Sequence, residues 1–179
     1  IFLYKKHSVG NDSTISEWII NYSGGFTKRG LIGEICIFFA NFFKINLREI
    51  ILIFQIIIIG VYFALLFKLL SNISINKLSI LSIFTPIFIL YPVAEIEVLA
   101  RKEVFIFCIF ILYLFIENIF LQRLYKILFL SIAVLIWEPV IFFFLFFMCI
   151  DIIKGRLDRL DKKFFYNLVC FFPAVFLAL

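Results

Sequence analysis

The sequence predicts an all-α protein, a polytopic bundle of transmembrane helices. Of its 179 residues, 65% are hydrophobic and only 16% are charged, whereas soluble domains average about 45–50% and about 25%. Short polar segments separate long apolar runs. Several runs approach the roughly 20 residues that a helix needs to cross the hydrocarbon layer. We therefore expect a polar segment over residues 1–30 and a single membrane domain over residues 31–179.

Composition also limits the partners and cofactors. A net charge of +5 suits contact with a lipid bilayer or a lipid-linked phosphate, while the sequence lacks the basic soluble surface that suits nucleic acid. The four cysteines are isolated and His7 is the only histidine, so we expect neither a metal site nor another cofactor. Because the chain runs from Ile1 to Leu179 and ends within an apolar run, we expect it to be a truncated piece of a longer protein.

The polar segment contains helix-start signals and then a glycine turn. Asn11-Asp12-Ser13-Thr14 can cap a helix, and Glu17 follows Thr14 at the spacing of a capping box. Trp18 and Tyr22 lie four residues apart, which places them on one helical face suited to the membrane–water interface. Ser23-Gly24-Gly25 then predicts a tight turn, because glycine adopts backbone angles that other residues avoid.

Two cations, Lys28 and Arg29, follow the glycine turn directly. Backbone amides at Gly24 and Gly25 beside two positive side chains can bind an anion such as a phosphate. The competing interpretation is a surface loop whose cations contact only water or lipid headgroups.

The first two apolar runs differ in length. Leu31–Phe43 has only 13 residues and contains a glutamate, so we expect a helix that lies at the membrane interface. Ile50–Leu70 is long enough to cross. Polar residues recur along it every seven positions, at Arg48, Gln55 and Tyr62, and therefore share one face. Such a stripe on a membrane helix contacts protein rather than lipid.

Two further spans are predicted downstream. Leu78–Val93 is a second, shorter span in which two prolines favour a kink and an exit. The charged Ala94–Glu103 segment follows. A third span then begins at Val104 and reaches about Phe120, which leaves Arg123 in or near the next loop.

The run Lys126–Ile153 is interrupted by Trp137-Glu138-Pro139, and two interpretations are open. If the run is one kinked span, the glycine loop, the Arg101 loop and the Lys154–Lys163 loop share one side, which the positive-inside rule makes cytoplasmic. If the break is instead the tip of two half-helices, the Lys154–Lys163 loop moves to the other side. We favour the second interpretation. Phe164–Leu179 then begins a further span.

Glu138 is the leading catalytic candidate. An ionisable side chain in the membrane costs on the order of 2.5–3.5 kcal/mol to insert, which makes it a functional candidate. The proline after it frees a backbone carbonyl, which only a protein-lined or wet cavity tolerates. The alternative is a helix kink in which Glu138 is hydrogen bonded to a neighbouring helix.

Four other residues complete the set of candidates. Arg101 and Lys102, in the Ala94–Glu103 segment, can bind a phosphate, although charges at helix ends are ordinary and Lys102 can equally anchor a helix at the interface. Asp12 and Glu17 are candidate catalytic acids whose alternative role is helix capping.

Three stretches resemble a family of bacterial multi-pass proteins of surface-polysaccharide assembly: EWIINYSGGFTKRGLIGE, LARKEVFIF and LIWEPVIFFF. The family is similar in outline to Wzy-type polymerases and to the GT-C class of membrane glycosyltransferases. The resemblance runs from Glu17 to Phe147 and implies a location in the bacterial inner membrane. It also implies a catalytic acid in the first external loop, a region that suits Asp12 and Glu17. Trp137 stands where the family pattern has histidine, which argues against an imidazole-based mechanism.

We therefore expect a glycosyltransferase or polysaccharide polymerase that acts on polyprenyl-phosphate-linked sugars. Such an enzyme needs a membrane groove, cations for the phosphate, and a carboxylate that deprotonates the acceptor hydroxyl. Glu138 is the first candidate for the base, and Lys28, Arg29 and Arg101 are candidates for the cations. The alternatives are a transporter or flippase of lipid-linked saccharides and a non-catalytic assembly subunit.

Overall fold

The computed structural model describes residues 4, 13–71, 74, 76–77, 80–81, 101–154 and 162–178. Regular structure in these residues is entirely helical, which confirms the predicted all-α class for this part of the chain. The α-helices whose bounds lie in the described ranges are α1 (Ser13–Ile19), α2 (Leu31–Phe43), α3 (Leu47–Ser71), α4 (Glu103–Phe115), α5 (Ile119–Ile136), α6 (Phe144–Ile153), α7 (Lys162–Val169) and α8 (Phe172–Ala178). A 3-10 helix, Glu138–Phe143, connects α5 to α6.

The chain divides into two compact units. Unit 1 comprises Ile1–Ile20 and Gly33–Ile111, and unit 2 comprises Asn21–Ile32 and Leu112–Leu179. Within the described ranges, α3 and α5 are the two helices long and apolar enough to cross a membrane. Helices α2 and α4 are apolar but shorter, at 13 residues each.

Several predicted segments lie wholly or mostly outside the described residues. These are Asp12, the second span Leu78–Val93, the charged segment before Arg101, and most of the Lys154–Lys163 loop.

In unit 1, the polar stripe of α3 is buried against protein as predicted. Gln55 is 1% exposed and Tyr62 is 3% exposed, and the Tyr62 ring lies 6.4 Å from the ring of Phe107 on α4, centroid to centroid. Arg48, at the start of the helix, is exposed. The apolar side chains on the other face, such as Ile57, remain exposed.

Helix α1 begins at Ser13, within the predicted capping segment Asn11-Asp12-Ser13-Thr14. The prediction that Trp18 and Tyr22 share one helical face was wrong, because the helix ends at Ile19 and Tyr22 lies beyond it. Trp18 is 1% exposed and belongs to the core of unit 1 rather than to an exposed aromatic face.

In unit 2, the boundary between α4 and α5 also differs from the prediction of a span that reaches about Phe120. Helix α4 ends at Phe115, and α5 begins at Ile119 with Asn118 as its N-cap. The Asn118 Oδ1 accepts hydrogen bonds from the backbone N–H groups of Phe120 and Leu121, at 2.8 and 3.4 Å. These bonds satisfy two of the donors that a helix start leaves open. Arg123 therefore lies in the first turns of a helix and not in a loop.

The chain reverses direction at Trp137-Glu138-Pro139. Trp137 is extended (φ −154°, ψ 106°) and ends α5, and the 3-10 helix begins at Glu138. A continuous path from Lys126 to Asp151 would cover about 40 Å, from the rise per residue of α- and 3-10 helices, yet these two side chains form a salt bridge. The interpretation as one kinked span is therefore wrong. The structure supports two helical arms that meet at this break.

Candidate functional site

The predicted glycine turn is present in unit 2. Gly25 has a φ of +118°, which L-residues rarely adopt, and its N–H donates to the carbonyl of Tyr22 at 3.0 Å. Asn21 Oδ1 accepts from the N–H of Ser23 at 2.9 Å and also from the Ser23 hydroxyl. The residues of the turn are exposed, so an anion has open access to it.

A second tight turn ends the loop at Gly30. Its N–H donates to the carbonyl of Thr27 at 3.1 Å. A Cβ at this position would lie 2.6 Å from the ring of Tyr22 and 2.7 Å from the Thr27 hydroxyl. The Thr27 hydroxyl also donates to the carbonyl of Asn21 at 3.2 Å. The loop is therefore folded on itself, and its internal hydrogen bonds fix the position of the backbone at Lys28 and Arg29.

The two cations of the loop contact two different helices of unit 2. The Lys28 ammonium donates to the carbonyl of Ala178, in the last turn of α8, at 2.6 Å. Such a contact satisfies a carbonyl left open by the helix and suits its negative C-terminal end. The Arg29 Nη2 lies 3.7 Å from Glu138 Oε2. The structure thus brings together two candidate residues that the sequence places far apart.

Glu138 owes its position to the start of the 3-10 helix. Pro139 lies in the first turn, where the missing N–H costs nothing because it would have no helical partner. A carboxylate in the first turn also favours the positive end of the helix dipole. The side chains of Arg29 and Glu138 are 43% and 36% exposed, so the pair is accessible from outside the fold.

The other described candidates belong to unit 1 and are not part of this pair. Glu17 is half-buried in α1. Arg101 Nη1 lies 3.8 Å from Glu103 Oε1, with the Arg101 side chain 41% exposed. Lys102 is only 2% exposed. Burial raises the pKa of the Cys36 thiol to about 11, and the positive charge of Lys102 opposes that rise.

A buried polar cluster in unit 2 was missed by the sequence analysis. The Lys126 ammonium and the Tyr113 hydroxyl both donate to the carboxylate of Asp151, the latter at 2.5 Å. All three side chains are at most 1% exposed. The Lys126 Nζ also lies 5.4 Å from the ring centroids of Tyr113 and Phe171, within cation–π range.

One sequence signal could have revealed this cluster. Lys126 and Asp151 are 25 residues apart and lie at nearly equal distances on either side of Glu138. If the break is the tip of two arms, that symmetry places the two charges opposite each other. The sequence pattern instead places Lys126 at the start of an apolar run and Asp151 at the start of the charged loop that follows that run.

Comparison with known proteins adds no identification, since no protein family, curated protein or solved structure matches this chain. Within the described ranges, no group of three His, Cys, Asp or Glu side chains is placed to hold a metal ion. The Arg29–Glu138 pair, beside a glycine turn and a helix break, is the best candidate site.

Proposed function

We propose that this chain belongs to a multi-pass membrane protein of bacterial surface-polysaccharide assembly. In this proposal it transfers sugars from polyprenyl-phosphate carriers. The observation that carries the proposal is the Arg29–Glu138 pair, at 3.7 Å. It joins a phosphate-binding type of side chain to a carboxylate at the break between two apolar helices.

The chemistry of the pair suits this reaction. The Glu138 carboxylate takes the proton of an acceptor hydroxyl while the oxygen of that hydroxyl attacks the sugar carbon that carries the phosphate. The carrier phosphate leaves with negative charge, which the Arg29 guanidinium stabilises through paired N–H donors. Lys28 precedes Arg29 directly and the glycine turn ends four residues before it, so both add positive potential near the pair.

The resting salt bridge between these residues does not block the site. Both side chains are more than a third exposed, and ion pairs of this kind contribute only about 0–1 kcal/mol. At 3.7 Å the Arg29–Glu138 pair is longer than a hydrogen bond, whereas a phosphate accepts paired hydrogen bonds from a guanidinium, so a phosphate competes effectively for Arg29. Its arrival releases the Glu138 carboxylate for the acceptor.

The test is sugar transfer from radiolabelled polyprenyl-phosphate donors by the purified protein and its Glu138→Gln variant. Glutamine keeps the size and most of the hydrogen bonding but cannot take the proton, so we expect the rate to fall about 10²–10⁴-fold. Glu117→Gln is the matched control, because Glu117 is exposed and lies outside the pair. Near-normal transfer by Glu138→Gln would remove Glu138 from the mechanism and leave Asp12 and Glu17 as the acids to test.

A flippase of lipid-linked saccharides is the second candidate. The two arms of α5 and α6, joined by a short irregular break, favour it, because transporters build substrate sites from discontinuous helices. Proteoliposomes separate the two functions. A flippase moves the labelled donor across the bilayer with its sugar–phosphate bond intact, whereas a transferase releases the carrier phosphate.

A further inference from the structure

An open apolar groove lies in unit 2, between the 3-10 helix and α8. Its volume is about 410 Å³, and the described side chains that line it are all apolar, among them Ile141 and Phe142 of the 3-10 helix and Phe172 and Val175 of α8. Ligand sites in proteins typically have about 300–1,000 Å³. At about 30 Å³ for each water-sized group, the groove has room for a single hydrocarbon chain of roughly a dozen carbons.

Both walls of the groove lead towards the cations of the glycine loop. On α8, Ala178 is three residues beyond Val175, about 4.5 Å along the helix, and its carbonyl accepts the bond from Lys28. On the 3-10 helix, Glu138 is three residues before Ile141, about 6 Å along the axis, and it pairs with Arg29. One end of the apolar groove is therefore marked by two consecutive positive side chains.

We propose that this groove binds the hydrocarbon tail of a single-chain lipid phosphate whose phosphate lies at Lys28 and Arg29. The assignment rests on the proposed function and deepens it, since it gives the carrier lipid a binding site in this chain. A peptide is a poorer occupant, because the described lining of the groove offers no polar side chain to its amides and unsatisfied amides are costly to bury. A free phosphate would leave the apolar walls unused.

Calorimetric titration of the purified protein in phosphatidylcholine nanodiscs tests the two halves of the ligand separately. The probes are farnesyl phosphate, farnesol, which lacks the phosphate, and inorganic phosphate, which lacks the tail. We expect farnesyl phosphate to bind at least about tenfold more tightly than either other probe, because only it makes both sets of contacts. Equal binding of farnesol and farnesyl phosphate would overturn the assignment of the phosphate to Lys28 and Arg29.

Two kinds of variant show where the protein binds the tail and where it binds the phosphate. Val175→Phe fills the groove and should weaken farnesyl phosphate and farnesol at least about tenfold. Val169→Phe is the matched control, because Val169 is exposed and does not line the groove. Ile141→Phe, on the opposite wall, should repeat the loss even if one groove variant folds poorly. Arg29→Gln should weaken farnesyl phosphate about tenfold and leave farnesol unchanged.

The outcomes separate this inference from the proposed function. Unchanged farnesyl phosphate binding in both folded groove variants would overturn the groove assignment, even if the wild-type protein transfers sugar. Loss of binding in both variants would support the groove, even if no sugar transfer were found and the proposed function failed.

Discussion

At the scale of single residues, Gly33 allows the start of α2 to approach the end of α1 closely. A Cβ at Gly33 would lie 2.0 Å from the carbonyl oxygen of Ile20 and 2.9 Å from that of Trp18. Both are backbone atoms, which cannot rotate away as a side chain can. We expect Gly33→Ala to lower the free energy of unfolding by about 1–3 kcal/mol or more, as overpacking does.

Gly24→Ala is the control for that prediction. No described atom lies within 4 Å of a Cβ at Gly24, and its backbone is not in the left-handed region. Thermal unfolding of the detergent-purified variants provides the comparison. Equal melting temperatures for the two variants would contradict the close approach at Gly33.

At the scale of helices, the Lys126–Asp151 salt bridge holds α5 and α6 together as two arms. Removing one partner of a buried pair typically costs about 3–5 kcal/mol, because the other charge stays buried without compensation. We expect Lys126→Met alone to be destabilised by that amount. The triple variant Lys126→Met, Asp151→Leu, Tyr113→Phe should recover most of the loss, since it leaves no buried polar group of the cluster behind. A triple variant as unstable as the single one in a denaturant titration would contradict this explanation, because the loss could not then come from the buried charge left on Asp151.

The helices also show what local sequence patterns can and cannot predict. The bounds of α2 matched the predicted Leu31–Phe43, because polar residues flank a short apolar run on both sides. The start of α5 was missed, because Arg123 suggested a loop and the next apolar run was expected to begin at Lys126. Lys126 is tolerated inside the helix through Asp151, 25 residues away, and no local pattern contains that contact.

The candidate site was predictable in its residue types but not in its pairing. Glu138 was singled out by its place in an apolar run, and Arg29 by the glycine turn before it. Their contact depends on the fold of unit 2, which brings the loop and the 3-10 helix together. Periodicity along one segment carries no information about such a contact.

At the scale of the whole molecule, the reversal at Trp137-Glu138-Pro139 predicts the sidedness of the loops in a membrane. The glycine loop and the Ala94–Glu103 segment should share one side, since Ile50–Leu70 and Leu78–Val93 are expected to cross between them. The Lys154–Lys163 loop should lie on the other side, because the span that begins at Val104 is expected to cross and the two arms then return to the side they left. Labelling of Ser23→Cys, Ala100→Cys and Gly155→Cys from one side of intact membranes measures this.

The labelling needs a defined cysteine background. Cys149 is exposed and should be replaced by alanine, whereas Cys36, Cys108 and Cys170 are buried and can remain. The same accessibility for all three introduced cysteines would contradict the reversal within the membrane. Opposite accessibility of Ser23→Cys and Ala100→Cys would show instead that Leu31–Phe43 crosses the bilayer.

The role of Glu138 is tested most directly by the single-turnover rate of sugar transfer, measured with donor already bound. Donor affinity and transfer rate should be determined on the same sample of wild-type protein and of Glu138→Gln. We expect the affinity to be nearly unchanged and the transfer rate to fall about 10²–10⁴-fold, because only proton removal is lost. A Glu138→Gln protein that binds donor and transfers sugar at close to the wild-type rate would contradict a catalytic role for the Arg29–Glu138 pair.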